Sequence, residues 1–174
     1  MNIDEEFYSD ISLYYNYDKL VYLYNNYFWK IEGYINNQTH LYREIINPRT
    51  NKKEKTYLVK IISAIYTDKN LFNKFFSSLD HQTQEIFTLI VNSGVEVNIN
   101  EIINKTGKNS NIDSSGKLNQ SKNNILYNLF SYTSNYGKYY LSLPESIKEV
   151  LRNYLTIYNE DNGELNKTSI PKIS

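Results

Sequence analysis

Few residues of this chain have the type and spacing that catalysis needs. The two histidines, His40 and His81, form no HxH or HxxxH pattern, and there is no cysteine, so neither a zinc-ligand set nor a nucleophile–base pair is indicated. The six glycines are solitary, which excludes a glycine-rich phosphate loop. Acidic groups such as Asp4–Glu6 and Glu160–Asp161 lie in polar stretches, where charge is usually solvated. We therefore expect no catalytic, cofactor-binding or metal site; an enzyme whose site is completed by another domain is a remote alternative.

Lysine residues are concentrated in one stretch of the sequence. Between Lys105 and Lys138 there are five lysines and a single acid, Asp113. Lysine can contact phosphates, and asparagine can bind the edge of adenine. The residues that could contact nucleic acid are Lys105, Lys108, Lys117, Lys122, Asn123 and Lys138. Five phosphate contacts would make binding fall with salt with a log–log slope of magnitude about 4 to 5.

Composition limits the class of protein. The formal net charge is zero, so the chain as a whole has no field that draws it to nucleic acid or to an anionic membrane. Asparagine, isoleucine, lysine and tyrosine are abundant, whereas there are one alanine and three arginines, a bias that an AT-rich genome explains. The acidic start lacks the features of a secretory signal, and no apolar run reaches the length of a membrane-spanning helix. We expect an intracellular, cytoplasmic protein with no membrane contact.

Residues 1–67 are predicted to form an N-terminal helical and hairpin region. Apolar residues recur every three or four positions from Ile3 to Ile35, which favours one or two amphipathic helices. A strand around Tyr22–Tyr24 is the alternative, because its aromatic residues have high β-propensity. Helix is favoured up to about Tyr27, and Gly33 indicates a break beyond it.

A hairpin is predicted to follow these helices. Its arms are the apolar-rich stretches Leu41–Ile46 and Tyr57–Ile62, and the residues between them, Asn47–Asn51, have turn chemistry with proline at a favourable position. From Tyr57 to Ile65 the apolar spacing also fits a helix, so the second arm has two interpretations.

Residues 68–158 are predicted to form a second region with a mixed order of elements. These elements are a helix capped by Asp68, a helix capped by Asp80 and stopped by Gly94, a strand at Val95–Ile99, a helix capped by Asn100 and ended by Gly107, a helix at Gln120–Tyr132, a hairpin at Ser131–Leu143, and a helix opened by Pro144. The connection 108–119 is rich in asparagine, serine and glycine and is predicted to be a flexible insert.

Over about residues 79–155 this order, together with the tail Tyr139–Pro144, resembles the winged-helix superfamily. The resemblance implies that the second helix, the insert, the third helix and the hairpin share one face, which the DNA-binding members present to DNA and on which the lysines named above would lie. Other members of the superfamily serve as protein-interaction or dimerisation modules. The expected fold class is therefore mainly α with small β hairpins, an α+β fold in which the N-terminal region packs on a winged-helix-like module.

Two functions follow from this interpretation. Leu79–Leu155 carries seven basic and seven acidic residues, and Lys122 is the only basic residue of the predicted third helix, whereas a DNA-binding domain is usually clearly basic. We therefore favour a non-catalytic protein-interaction or assembly module, which binds a protein partner or itself, as the N-terminal part of a larger nucleic-acid-handling protein. A DNA-binding regulator that uses the Lys105–Lys138 face is the alternative. Residues 159–174 are predicted to be a polar tail or linker.

Overall fold

The computed structural model describes residues 5–38 and 52–156. These residues divide into two compact units, which we call the first unit (5–38 and 52–78) and the second unit (79–156). The two units divide between Ser78 and Leu79, eleven residues after the boundary at residue 67 that the sequence pattern predicts. The predicted tail at 159–174 lies outside the described residues.

The described part of the first unit is helical. Its elements are α1 (Glu5–Tyr14), α2 (Tyr17–Asn26), a 3-10 helix (Phe28–Lys30), α3 (Glu32–Gln38), α4 (Lys55–Tyr66) and α5 (Lys69–Ser77). The prediction of two amphipathic helices is confirmed by α1 and α2, and the alternative strand does not form. The predicted break at Gly33 is wrong, because that residue lies inside α3. The predicted end of the helix at about Tyr27 is confirmed: α2 ends at Asn26, and Tyr27 leaves the helical conformation with φ −136°.

Helix α4 takes the place of the second arm of the predicted hairpin. Residues 57–62 are helical, and nine of the twelve residues of α4 are buried. Burial on nearly all sides is typical of a core helix, and it explains why the β-branched residues of this stretch do not indicate a strand: packing overrides β-propensity. The first arm, Leu41–Ile46, and the turn Asn47–Asn51 lie outside the described residues.

An aromatic cluster joins α2, the 3-10 helix, α4 and α5. The ring of Phe75 is fully buried, and its centroid lies 5.0 Å from that of Phe28 and 5.7 Å from that of Tyr27. On α4 and α5 it lies 6.1 Å from Tyr66 and 6.0 Å from Phe72. These separations are those of favourable aromatic pairs, so one side chain connects four elements.

A buried carboxylate joins α2, α3 and α4. The Tyr24 hydroxyl donates to Glu32 Oε1 over 2.8 Å, and the Tyr57 hydroxyl donates to Glu32 Oε2. Lys52 Nζ lies 3.6 Å from Glu32 Oε1. Two donors and a cation thus satisfy a carboxylate that is almost fully buried, as a buried charge requires.

We predict a maximum of stability near pH 10 and cooperative unfolding above it. Burial is the largest cause that raises the pKa of Tyr15, Tyr57 and Tyr66, and it raises that of Tyr24 to about 12. Because these phenols ionise near pH 10.0 in the unfolded chain, their contribution to the free energy of unfolding is complete below that pH and is lost above it. Burial lowers the pKa of Lys19 from 10.5 to about 8, so the unfolded chain binds more protons between these values and stability rises with pH there.

An alkaline titration followed by tyrosinate absorbance and by far-UV circular dichroism tests this prediction. The exposed tyrosines should ionise near pH 10 with the helical signal unchanged, whereas the absorbance change of the buried tyrosines should coincide with the loss of the helical signal at higher pH. Ionisation of all tyrosines with an unchanged helical spectrum would contradict it.

The second unit combines four helices and three strands within its described residues. These are α6 (His81–Val91), β1 (Val97–Asn98), α7 (Ile99–Thr106), α8 (Ile125–Leu129), β2 (Ser131–Asn135), β3 (Lys138–Ser142) and α9 (Glu145–Arg152). The strands form an antiparallel sheet in the order β1–β3–β2, with Val97 opposite Leu141 and Ser131 opposite Ser142. The hairpin predicted at Ser131–Leu143 is therefore confirmed.

The turn of the hairpin has two residues with positive φ. Tyr136 has φ 50° and Gly137 has φ 74°, the combination that matches the twist of the flanking strands. Glycine adopts such a φ at little cost, whereas a bulky residue rarely does. The Tyr136 ring is 97% exposed at this tip.

The starts of the helices follow from side-chain caps. Asp68 accepts a hydrogen bond from the backbone N–H of Leu71, and Asp80 accepts one from that of Thr83, which confirms both predicted caps. The predicted cap Asn100 is wrong: Asn98 caps α7 and accepts from the Asn100 N–H. The extended strand ends one residue before α7, so the cap falls on its last residue.

The described residues thus form a mainly helical protein with one small three-stranded antiparallel sheet, in agreement with the expected fold class. In the second unit, Phe87 of α6 packs against Phe130 with ring centroids 5.1 Å apart. No helix in the described ranges is long and apolar enough to cross a membrane.

Candidate functional site

The connection between α7 and α8 is a hydrogen-bonded loop. Asp113 Oδ1 accepts from the backbone N–H groups of Ser115 (2.8 Å) and Lys117 (3.1 Å), and Ile112 and Leu118 form an antiparallel bridge. The hydrogen bond from the Ser115 hydroxyl is the largest cause that lowers the pKa of Asp113, and the bond from the Lys117 backbone N–H is the second. Residues 108–119, which their composition predicts to be flexible, therefore close on themselves, because short polar side chains bind the backbone of their own turn.

Asn124 connects this loop to α8. Its Oδ1 accepts from the backbone N–H groups of Leu126 (3.0 Å) and Tyr127 (3.3 Å) and so caps the helix. Its Nδ2 donates to the carbonyls of Asn111 (2.9 Å) and Asn119 (3.2 Å). The side chain is buried and uses both its donor and its acceptor atom within the protein. Asn124 therefore positions the loop rather than offering a contact to a ligand.

The third helix is much shorter than predicted. The pattern predicts a helix over Gln120–Tyr132, but α8 covers only Ile125–Leu129. The chain before it is bound in turns, and the residues after Phe130 join the sheet. Four of the five residues of α8 are buried, and Tyr127 is 40% exposed. The apolar spacing is correct, but it reflects a single buried turn of helix followed by a strand.

A groove lies beside α8, between the end of the loop and strand β2. It has a volume of about 380 Å³, within the range of sites for small groups. Its lining combines two aromatic rings, amide and hydroxyl groups, one cation and one apolar side chain: Leu118, Asn119, Gln120, Ser121, Lys122, Tyr127 and Tyr132.

The Tyr132 ring of the groove is held in place from two sides. Its hydroxyl accepts a hydrogen bond from the Leu118 N–H (3.2 Å), and its ring stacks on Tyr139 with centroids 5.7 Å apart. On Tyr139, Lys117 Nζ lies 5.4 Å from the ring centroid. A hydrogen bond to the Tyr139 hydroxyl is the largest cause that raises the pKa of Lys117. A cation thus stays charged next to the groove.

All six residues predicted to contact nucleic acid are exposed, but only part of the set gathers at the groove. Lys122 lines it. Lys117 does not line it but lies over the ring of Tyr139, which stacks on the lining residue Tyr132. Asn123 is next to Lys122 in the chain but does not line the groove. The other three do not line it either: Lys105, which pairs with Glu101 at 3.3 Å, Lys108 and Lys138.

Sequence reasoning missed the aromatic and amide residues of the groove. Tyr127 and Tyr132 are two of eighteen tyrosines, and the polar residues 119–121 lie at the end of a segment whose composition suggested no structure. The sequence feature that could have indicated the groove is the polar run Asn119–Ser121, which lies shortly before the helix that carries Tyr127. This run forms part of a groove only because Asn124 bonds the loop to α8.

The remaining chemical candidates do not form a site in the described residues. His81 is exposed and lies 3.4 Å from Glu85 one helical turn away, and His40 lies outside the described residues. Across 5–38 and 52–156, no three histidine or acidic side chains gather as a metal site would require.

The first unit offers a surface of a different kind. Five large apolar side chains spread over α1, α2, the 3-10 helix and α3 are exposed, and we refer to them together as the exposed aromatic surface: Leu13, Tyr14, Tyr17, Trp29 and Tyr34. Three of them fall within five consecutive residues, at the corner between α1 and α2. Trp29, the single tryptophan of the chain, is 53% exposed, and Lys74 Nζ lies 4.3 Å from the centroid of the Tyr34 ring.

No protein family, curated protein or solved structure matches this chain. Its function is therefore inferred from its own residues: the exposed aromatic surface of the first unit, and the groove and lysines of the second.

Proposed function

We propose that the chain is a non-catalytic protein-interaction module, and that the exposed aromatic surface of its first unit binds a protein partner or a second copy of the chain. One observation carries the proposal: five large apolar side chains of the first unit are exposed. Single exposed apolar residues are ordinary, but three within residues 13–17, and a half-exposed tryptophan, are not. Tryptophan and tyrosine are enriched among the few residues that dominate the binding energy at protein interfaces.

The second unit supports this proposal through its architecture. Its element order and its β1–β3–β2 sheet agree with the proposed winged-helix resemblance, and its basic and acidic residues are equal in number. We propose that it is part of a larger nucleic-acid-handling protein. A cytoplasmic location belongs to the same proposal, since a chain without cysteine needs no oxidising compartment.

Nucleic-acid binding by the second unit is the second candidate function. Within the described residues no acidic side chain pairs with Lys108, Lys122 or Lys138, so their charges are available to an anionic partner. Duplex reading by the third helix is disfavoured, because α8 offers Tyr127 as its one exposed side chain.

The emission of Trp29 tests the proposed function directly. We expect a blue shift and a mass above that of the monomer as the concentration rises from about 1 μM to about 1 mM. Leu13→Glu should abolish both, because it places a charge in the interface. Val95→Glu is the matched control, since Val95 is equally exposed but lies in the second unit. A monomer with unchanged emission at every concentration would contradict self-association through this surface.

A further inference from the structure

We propose that the groove of the second unit is a binding site for single-stranded nucleic acid, with bases against the rings of Tyr127 and Tyr132 and the phosphate backbone against Lys122. This inference goes beyond protein interaction and concerns the other unit, so its failure would leave the first proposal intact. It also makes the second candidate function more specific, because the proposed ligand is a single strand rather than a duplex.

The lining of the groove has the chemistry that unpaired bases require. Proteins bind single strands by stacking bases on aromatic side chains inside a positively charged groove. Here two tyrosine rings and Lys122 share one groove with the amides of Asn119 and Gln120. Amide side chains can bond to the edges of bases that no complementary strand covers.

The framework around the groove holds its aromatic rings before a ligand arrives. Tyr132 is fixed by the Leu118 N–H and by its stack on Tyr139. Tyr127 lies in the first turn of a helix that Asn124 caps. Ligand binding therefore orders few side chains, which lowers its entropic cost.

The charge around the groove favours an anionic chain. Lys122 is the one charged side chain of the groove lining. The single acidic residue between Lys105 and Lys138, Asp113, is bound within its own loop. Lys108, Lys122 and Lys138 have no acidic partner among the described residues.

The shape of this region favours a single strand over the other anionic polymers. A duplex reader fills a major groove about 12 Å wide with a helix, and α8 has five residues, four of them buried. An acidic peptide would pair with the lysines but would leave the two rings without a planar group to stack on. The combination of two aromatic rings and a lysine therefore favours nucleic acid over an acidic peptide, and a single strand over a duplex.

Fluorescence anisotropy of the full chain with a labelled oligo(dT) of about twelve residues tests the proposal, since sites of this type cover about 4–16 nucleotides. Duplex DNA of the same length and a poly-glutamate peptide serve as the other probes. We expect micromolar binding of the single strand, binding of the duplex at least about tenfold weaker, and no competition by poly-glutamate. Absence of single-strand binding, tighter binding of the duplex, or equal competition by poly-glutamate would each overturn the proposal.

Substitutions then locate the site. Tyr127→Ala should weaken binding by about 10- to 100-fold, whereas Tyr127→Phe, which keeps the ring, should bind like the original chain. Lys122→Gln should weaken binding and reduce the magnitude of the salt slope by about 1.

Tyr136→Asn is the control for these substitutions. It removes a fully exposed ring that does not line the groove, at a φ that asparagine tolerates, so it should leave the affinity unchanged. A loss of affinity in Tyr136→Asn equal to that in Tyr127→Ala would overturn the assignment to the groove, and so would Tyr127→Phe that binds as weakly as Tyr127→Ala.

Discussion

Replacing Phe75 with alanine is expected to lower the free energy of unfolding of the first unit by about 3–5 kcal/mol. The side chain is fully buried and contacts the ring of Tyr27, directly after α2, and rings of the 3-10 helix, α4 and α5. Its removal leaves a cavity between rigid rings that cannot collapse to fill it, so the cavity adds to the lost transfer free energy.

Urea unfolding followed by Trp29 emission measures this effect. Since the chain has one tryptophan, in the 3-10 helix of the first unit, the signal reports on that unit. Phe75→Leu, which keeps much of the volume, should cost less than about 1.5 kcal/mol. Leu13→Ala removes apolar atoms from an exposed position and should stay within about 0.5 kcal/mol of the original. If Phe75→Ala and Leu13→Ala have the same midpoint, the aromatic cluster does not hold the first unit together.

The sequence predicts those parts of the fold that depend on neighbouring residues. The caps Asp68 and Asp80 act within three residues, and the hairpin depends on Tyr136 and Gly137 at its turn. These features are confirmed because a side chain that bonds its own turn needs no distant partner. The end of the helix at about Tyr27 was predicted, but the helical state of Gly33 was not. After Tyr27 the 3-10 helix brings Phe28 onto Phe75, and that contact spans nearly fifty residues.

The candidate site was only partly predictable for the same reason. The lysines of 105–138 are visible in the sequence because charge is a property of each residue alone. The groove is not visible in the sequence, because Tyr132 is held in its lining by the Leu118 N–H, fourteen residues earlier in the chain. The length of the third helix was also hidden: residues 120–124 lie in turns and cap α8, and the residues from Ser131 onward pair with β3. The apolar residues between them fit one helical turn as well as they fit a longer helix.

Replacing Asn124 with alanine is expected to lower the free energy of unfolding of the second unit by about 2–4 kcal/mol. The substitution removes the cap of α8 and, at the same time, the donor to the carbonyls of Asn111 and Asn119. Loss of a cap alone costs about 1 kcal/mol. The larger value is expected because the two hydrogen bonds that the Asn124 Nδ2 donates are lost as well, each worth about 0.5–1.5 kcal/mol.

Amide hydrogen exchange in α8 and the sheet measures this change, since the second unit has no tryptophan of its own. Asn123→Ala is the matched control: the same substitution one residue earlier, at an exposed position, should change the free energy by less than about 0.5 kcal/mol. Equal effects at both positions would contradict the role of Asn124 as the link between loop and helix. Below the unfolding transition, Asn124→Ala should also weaken oligo(dT) binding although Asn124 does not line the groove. Asn124 donates to the loop at the Asn111 and Asn119 carbonyls. Asn128 of α8 also donates to the Lys122 carbonyl, so loss of the Asn124 bonds should loosen the walls of the groove without releasing the loop completely.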